Sequence, residues 1–239
     1  MSHSGRPTPD LGHLQASDYD SVYEPSEDTF LLLDALSLPE EEEFLAELRP
    51  LLCVEVGAGS GCVLTFLAQI LSSKGLSCHA LAVDLNPVAA SVARTTALHN
   101  GVSADALHAD LLTALSPSRI LDVVLFNPPY VPTDPSEVSE AYQLALRGMA
   151  SLDSSSAPLL LPLAWAGGIA GREVLDRFLQ LLFRGEELER LPRCVYLLLL
   201  EENKPQEVVL MFSSRGYSCK LLKSRRARNE LLHVYRFSR

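Results

Sequence analysis

The chain has 239 residues, of which 47% are hydrophobic and 21% charged, a composition that buries a full core and excludes a disordered chain. Its net charge of −10 argues against a direct nucleic-acid substrate, because neutralising phosphates needs a basic surface. Only a local group such as Lys220, Lys223, Arg225, Arg226 and Arg228 could supply one. The five cysteines, Cys53, Cys62, Cys78, Cys194 and Cys219, form no Cys-x-x-Cys pair, so no metal ligands are assigned and buried free thiols in a reducing compartment are expected.

In chain order, residues 1–18 are polar and rich in Pro, Gly and Ser, without the apolar centre of a signal peptide. They are predicted as a disordered lead, with one folded domain over 19–239. The cytoplasm is the expected compartment, with the nucleus also open, and no apolar run is long enough to span a membrane. Glu24-Pro25-Ser26-Glu27-Asp28-Thr29 before an apolar run reads as a helix start, the helix continuing to about Leu36. The charge run at 40–43 reads as a solvated face.

Short apolar runs predict strands at 51–56, 79–84, 106–110, 120–126 and 194–200, and helical spacing predicts helices at 62–71, 88–100, 174–183 and 207–213. Residues 217–222 and 231–237 form a predicted antiparallel pair. The alternation implies an α/β sheet with helices on both faces. Residues 137–162 do not fit it. They are predicted as an inserted flexible loop with a short helix near 140–147.

Four features carry chemistry. Glu55-Val56-Gly57-Ala58-Gly59-Ser60-Gly61 lies at a strand end before a helix, where glycines let the backbone approach a ligand. The leading acid would repel pyrophosphate but suits a cationic ligand such as S-adenosylmethionine; a plain strand–helix turn is the bland alternative. Asp84 ends the second strand and can accept both hydroxyls of a ribose, or simply cap the next helix. Asp110 ends the third strand, where it could accept from an adenine amine, with the Leu111 amide on a ring nitrogen; a solvated loop is the alternative.

Asn127-Pro128-Pro129-Tyr130 follows the fourth strand directly. The prolines lock the backbone and remove two donors, leaving carbonyls toward the crevice. Asn127 adds a side-chain carbonyl, and two acceptors can hold both hydrogens of one NH₂ group. Tyr130 offers a flat face for a planar target. The set suits transfer of a methyl group to an amide or aromatic amine nitrogen.

Residues 23–29 (Tyr-Glu-Pro-Ser-Glu-Asp-Thr), the 55–61 loop, Asp84, the 127–130 tetrad and Trp165-Ala166-Gly167-Gly168 together resemble the HemK-type glutamine-N5 methyltransferases. The tetrad alone is shared with adenine-N6 methyltransferases; residues 23–29 narrow it to the eukaryotic branch that methylates the Gly-Gly-Gln glutamine of the class I translation release factor. The resemblance covers roughly residues 19–237. It implies a Rossmann-like, seven-stranded class I S-adenosylmethionine-dependent methyltransferase fold. It also implies a heterodimer with a small zinc-binding activator subunit. In that frame Thr29, Glu55, Gly57, Gly59, Asp84, Asp110, Leu111 and Asn127 hold the cofactor, while Asn127, Pro128, Pro129 and Tyr130 hold and shape the acceptor. The third strand would lie at a sheet edge without Lys or Pro, where the activator could add a strand, unless the chain's own N-terminal lead or the long insertion covers it. The alternatives are an adenine-N6 methyltransferase acting on DNA or RNA, a protein lysine methyltransferase, and a non-catalytic scaffold, which the intact tetrad argues against.

Overall fold

The computed structural model describes residues 6–115, 121–153, 155–184 and 191–239. The chain first lays down α1 (Glu27–Leu36), α2 (Pro39–Leu48), β1 (Leu52–Val56), α3 (Cys62–Ser73), β2 (His79–Asp84), α4 (Pro87–His99) and β3 (Ala104–His108). It then forms β4 (Val123–Phe126), β5 (Val131–Pro132), α5 (Pro135–Arg147), β6 (Ala166–Gly168) and α6 (Glu173–Leu182). β7 (Cys194–Leu200), α7 (Pro205–Ser213), β8 (Ser218–Ala227) and β9 (Glu230–Ser238) close the domain.

Seven strands form one sheet in the order β3-β2-β1-β4-β7-β9-β8. The first five are parallel, and β9 runs antiparallel between β7 and β8. Every residue of β4 and β7 is buried, which is why both read as unbroken apolar runs; helices cover both faces of a parallel centre. Side chains alternate between two cores. Cys53, Tyr196 and Leu198 face α1, α2, α3 and α4, whereas Val54, Val195 and Leu197 face α6 and α7. The chain winds outward from β1 to β3, then crosses to β4 on the other side of β1. That reversal opens a crevice beyond the C-terminal strand ends. Among the described residues no helix is long and apolar enough to cross a membrane.

Three expectations need correction. The lead is ordered from Arg6 onward; residues 1–5 lie outside the described residues. Arg6 donates to Ser73 Oγ (2.8 Å) and pairs with Glu42. Asp10 and Asn100 exchange two hydrogen bonds at 2.7 and 2.8 Å, and His13 meets Thr96 at 3.2 Å. Polar bonds to α2, α3 and α4 hold this segment, so it carries no hydrophobic pattern to betray its order.

The charge run at 40–43 is not uniformly solvated, because Glu41 is completely buried. Arg236 from β9 donates to both its oxygens (2.9 and 2.8 Å), with Lys220 of β8 and the Tyr196 hydroxyl each at 3.2 Å. These partners lie more than 150 positions away along the chain. The basic group is thinned by the same contacts: Lys220 is spent on Glu41, and Arg225 pairs with Glu27 and Asp34.

The 137–162 segment is not a structureless loop. α5 starts earlier than expected, at Pro135, capped by Asp134 and Glu137. Val138, Ala141, Tyr142 and Ala145 recur at helical spacing on one of its faces. A 3-10 stretch, Ala157–Ala164, follows and leads into β6, which pairs with β5. The start of the fourth strand, predicted from Ile120, lies outside the described residues.

Candidate active site

A cavity of about 380 Å³ opens at the crevice, lined by Thr29, Glu55, Gly57, Gly59, Asp84, Asp110, Leu111, Asn127 and Pro129 among others. Its floor is the turn after β1. Gly57 and Gly59 take φ of 64° and 51°, left-handed values that bend the turn back over the sheet. Glu55 accepts the Leu64 amide at 2.9 Å inside α3. Burial pushes its carboxyl up to about 8, against the lowering effect of that bond. Asp84 accepts the Gly59 amide on one oxygen (2.9 Å) and the Asn86 amide on the other (2.8 Å). Burial raises it to about 6 despite those bonds. Asn86, not Asp84, caps α4, accepting from the Val88 amide at 3.0 Å. Asp84 is thus free to present its remaining lone pairs to the cavity.

Two desolvated carboxyls beside bent backbone favour a ligand that brings positive charge. The cavity also has the size of a nucleoside-bearing ligand. S-adenosylmethionine fits on both counts: Glu55 and Asp84 would hold its cationic and ribose parts. Leu111, held at φ 51°, sits with Asp110 at the far end of the cavity, where a purine would lie. Such a backbone costs of order 1–3 kcal/mol in a non-glycine residue and is retained mostly where a site needs it.

The acceptor side is built around Asn127. Its Nδ2 donates to Asp28 Oδ2 at 2.9 Å, while its Oδ1 is buried with no hydrogen-bond partner. A buried orphan acceptor costs about 1–3 kcal/mol and calls for a donor. Asp28, itself buried, also accepts from the Thr29 amide (2.7 Å) and the Tyr23 hydroxyl (3.3 Å). The loop after Asn127 is stitched to residues 165–168: Val131 donates to the Trp165 carbonyl (2.8 Å) and Thr133 to that of Gly168 (3.1 Å). Asn203 then clamps the Ala170 and Gly171 carbonyls, both at 3.2 Å. Burial, with Asp28 and Glu230 nearby, pushes the Tyr130 phenol well above its usual range.

The roof comes from the inserted segment and the end of the 3-10 stretch that continues it: Val138, Ser139 and Tyr142 of α5, with Leu160, Leu163 and Ala164. Tyr142 donates to Asp110 Oδ2 at 2.7 Å, and Arg177 of α6 pairs with the same oxygen.

The fold therefore gathers all eight residues expected on the cofactor side into one cavity with Pro129. Pro128 and Tyr130 do not line it; Tyr130 packs, half-buried, against the α1–α4 core. Sequence reasoning missed Asp28, Tyr142, Arg177 and Asn203. Asp28 stood in the quoted 23–29 segment but read as a helix first-turn acid. The other three carry no local signal. Among the described residues no cluster of three or more His, Cys, Asp or Glu could hold a metal ion.

Residues 39–155 match the family model described as a methyltransferase small domain. The chain is 39% identical to the methyltransferase HEMK2 of Mus musculus over the full length of both. It is 30% identical to the eRF1 methyltransferase catalytic subunit mtq2 of Schizosaccharomyces pombe, with 97% of this chain and 95% of that one covered. Among solved structures, a chain of the E. cuniculi Mtq2–Trm112 complex, responsible for methylation of the eRF1 translation termination factor, is 30% identical. It aligns over 92% of this chain and 99% of its own, with a TM-score of 0.59.

Proposed function

The chain belongs to the methyltransferase family of HEMK2 and Mtq2, and from that premise we propose that it transfers a methyl group from S-adenosylmethionine to the glutamine side-chain nitrogen of the Gly-Gly-Gln motif in the class I translation release factor. The observation that carries this reading is the unpartnered, buried Oδ1 of Asn127. It is turned outward because Asp28 holds the other end of the amide.

When bound, S-adenosylmethionine supplies an electrophilic methyl carbon on a sulfonium. The chain's own residues then have a positioning task. Asn127 Oδ1 accepts one hydrogen of the substrate amide; the Pro128 carbonyl, beside the cofactor cavity and not in its lining, is the expected acceptor for the other. Both bonds withdraw the NH₂ hydrogens to one side and turn the nitrogen lone pair toward the methyl donor. An amide nitrogen is a weak nucleophile, so orientation matters more than basicity. No side-chain base is required, because the alkylated nitrogen is acidic and loses its proton to water. Pro129 lines the cavity, and the half-buried Tyr130 packs beside it against the α1–α4 core, backing the loop instead of facing the cofactor.

The catalytic chain works with a small activator subunit, as the E. cuniculi relative is solved with Trm112. In this reading the activator binds zinc and pairs with β3. That strand is an edge of the sheet, and the bonds of the N-terminal lead run to α2, α3 and α4, while the inserted segment meets its last residue, His108, at Gly148. A charged pair at Ala106 and His108 should then abolish co-purification. Action on a translation factor would call for an enzyme in the cytoplasm, with the nucleus also open, which fractionation of a tagged chain would check.

The decisive experiment incubates the purified complex with labelled S-adenosylmethionine and release factor. Label should enter the wild-type factor and not one whose Gly-Gly-Gln glutamine is replaced by alanine. Equal labelling of both, or labelling of DNA instead, defeats the reading.

A further inference from the structure

Asp110 uses its two oxygens unequally. Oδ2 takes the Tyr142 hydroxyl at 2.7 Å and the Arg177 guanidinium. Among the described residues no hydrogen bond reaches Oδ1, although Asp110 lines the cavity and its side chain is only 14% exposed. The two donors also touch each other, Arg177 Nη2 to Tyr142 Oη at 3.4 Å. They arrive from different directions: Arg177 from α6, whose Phe178 and Leu179 are anchored in the core, and Tyr142 from α5.

α5 is a weakly anchored element. Its buried Ala141 and Ala145, and Leu160 of the 3-10 stretch against which it packs, belong to neither core cluster. Little apolar area ties the roof down, and elements of that kind open most readily. The bond from Tyr142 to Asp110 therefore forms a large part of what holds the roof over the cavity.

We propose that Tyr142 and Arg177 are positioning residues for the nucleoside, holding Asp110 with Oδ2 occupied and Oδ1 aimed at the adenine amine while Tyr142 ties the α5 roof down over the purine. The inference rests on the assignment of this cavity to S-adenosylmethionine. A carboxylate free to rotate would offer the amine a poorly aimed acceptor. One fixed on its far oxygen by a guanidinium presents a single directed lone pair, and hydrogen bonds to a charged group are about twice as strong as neutral ones. One carboxylate thereby serves both ligand recognition and roof closure, so the nucleoside is read most stringently when the roof is shut.

The test uses the full chain co-expressed with its activator. Calorimetry measures binding of S-adenosylhomocysteine and of its hypoxanthine counterpart, in which a carbonyl oxygen replaces the amine. Amide hydrogen exchange follows residues 138–147. The wild type should prefer the adenine compound by about tenfold or more, the scale of one hydrogen bond to a charged group. Arg177→Met should lose most of that preference. Tyr142→Phe, which removes one hydroxyl and should fold normally, should raise α5 exchange about threefold or more and speed ligand release.

If Asp110→Asn loses the preference while the Arg177 and Tyr142 variants keep it, the clamp is wrong and the cavity assignment stands. Arg177→Met that weakens both compounds equally shows a merely structural residue and overturns the proposal. Unchanged exchange in Tyr142→Phe overturns the roof. If Asp110→Ala, which offers no side-chain acceptor, keeps the preference as well, the adenine does not lie at Asp110, and the cavity assignment fails with the clamp.

Discussion

Asp28 and Asn127, 99 positions apart, are joined by a 2.9 Å hydrogen bond that decides which end of the asparagine amide faces the cavity. With Nδ2 committed to a carboxylate that can only accept, Oδ1 must point away from it, toward the acceptor. Asp28→Ala should therefore lower kcat about a hundredfold, the scale of a misaligned reacting group, while the cofactor Kd changes by less than about threefold. Asp28→Asn, which can still accept from Asn127, should lose less. Single-turnover rates and calorimetry separate the two effects. Equal kcat in Asp28→Ala and the wild type would remove the orienting role.

Asn127→Ala removes the acceptor itself. Turnover should fall below detection over the release factor, with cofactor binding largely kept. Asp84→Ala should do the reverse, weakening the cofactor about tenfold or more because a carboxylate holding ribose hydroxyls is lost. The pair forms a cross-test: variants that both fail in the same step would mean that the two ends of the cavity are assigned wrongly.

The pH dependence of cofactor binding follows from Glu55 and Asp84. Burial raises them from 4.5 to about 8 and from 3.8 to about 6. Near pH 7 the empty cavity keeps a proton on Glu55, which a cationic ligand expels. Affinity should therefore rise with pH between 6 and 8, by at most about tenfold per unit, and level off above 8. Glu55→Gln should flatten that slope. Stability has the opposite trend. The folded state binds more protons than the unfolded chain between about pH 4 and 8, so this contribution falls as pH rises through that window. Denaturant titrations of Glu55→Gln against the wild type should converge at low pH and separate in favour of the variant at pH 8.

Glu41 is the buried counter-charge of Arg236 and Lys220. Glu41→Ala leaves Arg236 unpaired in a site where its side chain is 14% exposed. That should cost about 3–5 kcal/mol and lower Tm by roughly 10 °C. Thermal unfolding checks it, and a shift under about 2 °C would show that water replaces the pair without penalty.

Gly171 takes φ 67°, and a Cβ there would collide with the Tyr130 carbonyl. Gly171→Ala must push the 127–130 loop away from its partner strand. We expect kcat to drop about a hundredfold with a smaller loss of cofactor affinity. An unaffected kcat would mean that the loop position is not set by the 165–171 segment.

Much of this protein was legible along the chain. The buried strands β1, β2 and β7 read correctly because parallel central strands carry continuous apolar runs bounded by glycine or charge. Glu55, Gly57, Asp84 and Asn127 could be picked out because each lies at the end of a parallel strand or directly follows one, with Gly59 and Asp110 within three residues of one, and that topology delivers strand ends to one crevice. The tertiary structure decided what depends on partners distant in sequence. Glu41 looks like its solvated neighbours until Arg236 arrives across the sheet, and Asp28 looks like a helix first-turn acid until Asn127 meets it. The N-terminal lead reads as disordered and α5 only as a shorter helix near 140–147 within a loop, because polar bonds and a small apolar face, rather than a core, hold them. Local periodicity records how a segment meets water; it does not record which charge, 99 or 195 positions away, will replace that water once the chain has folded.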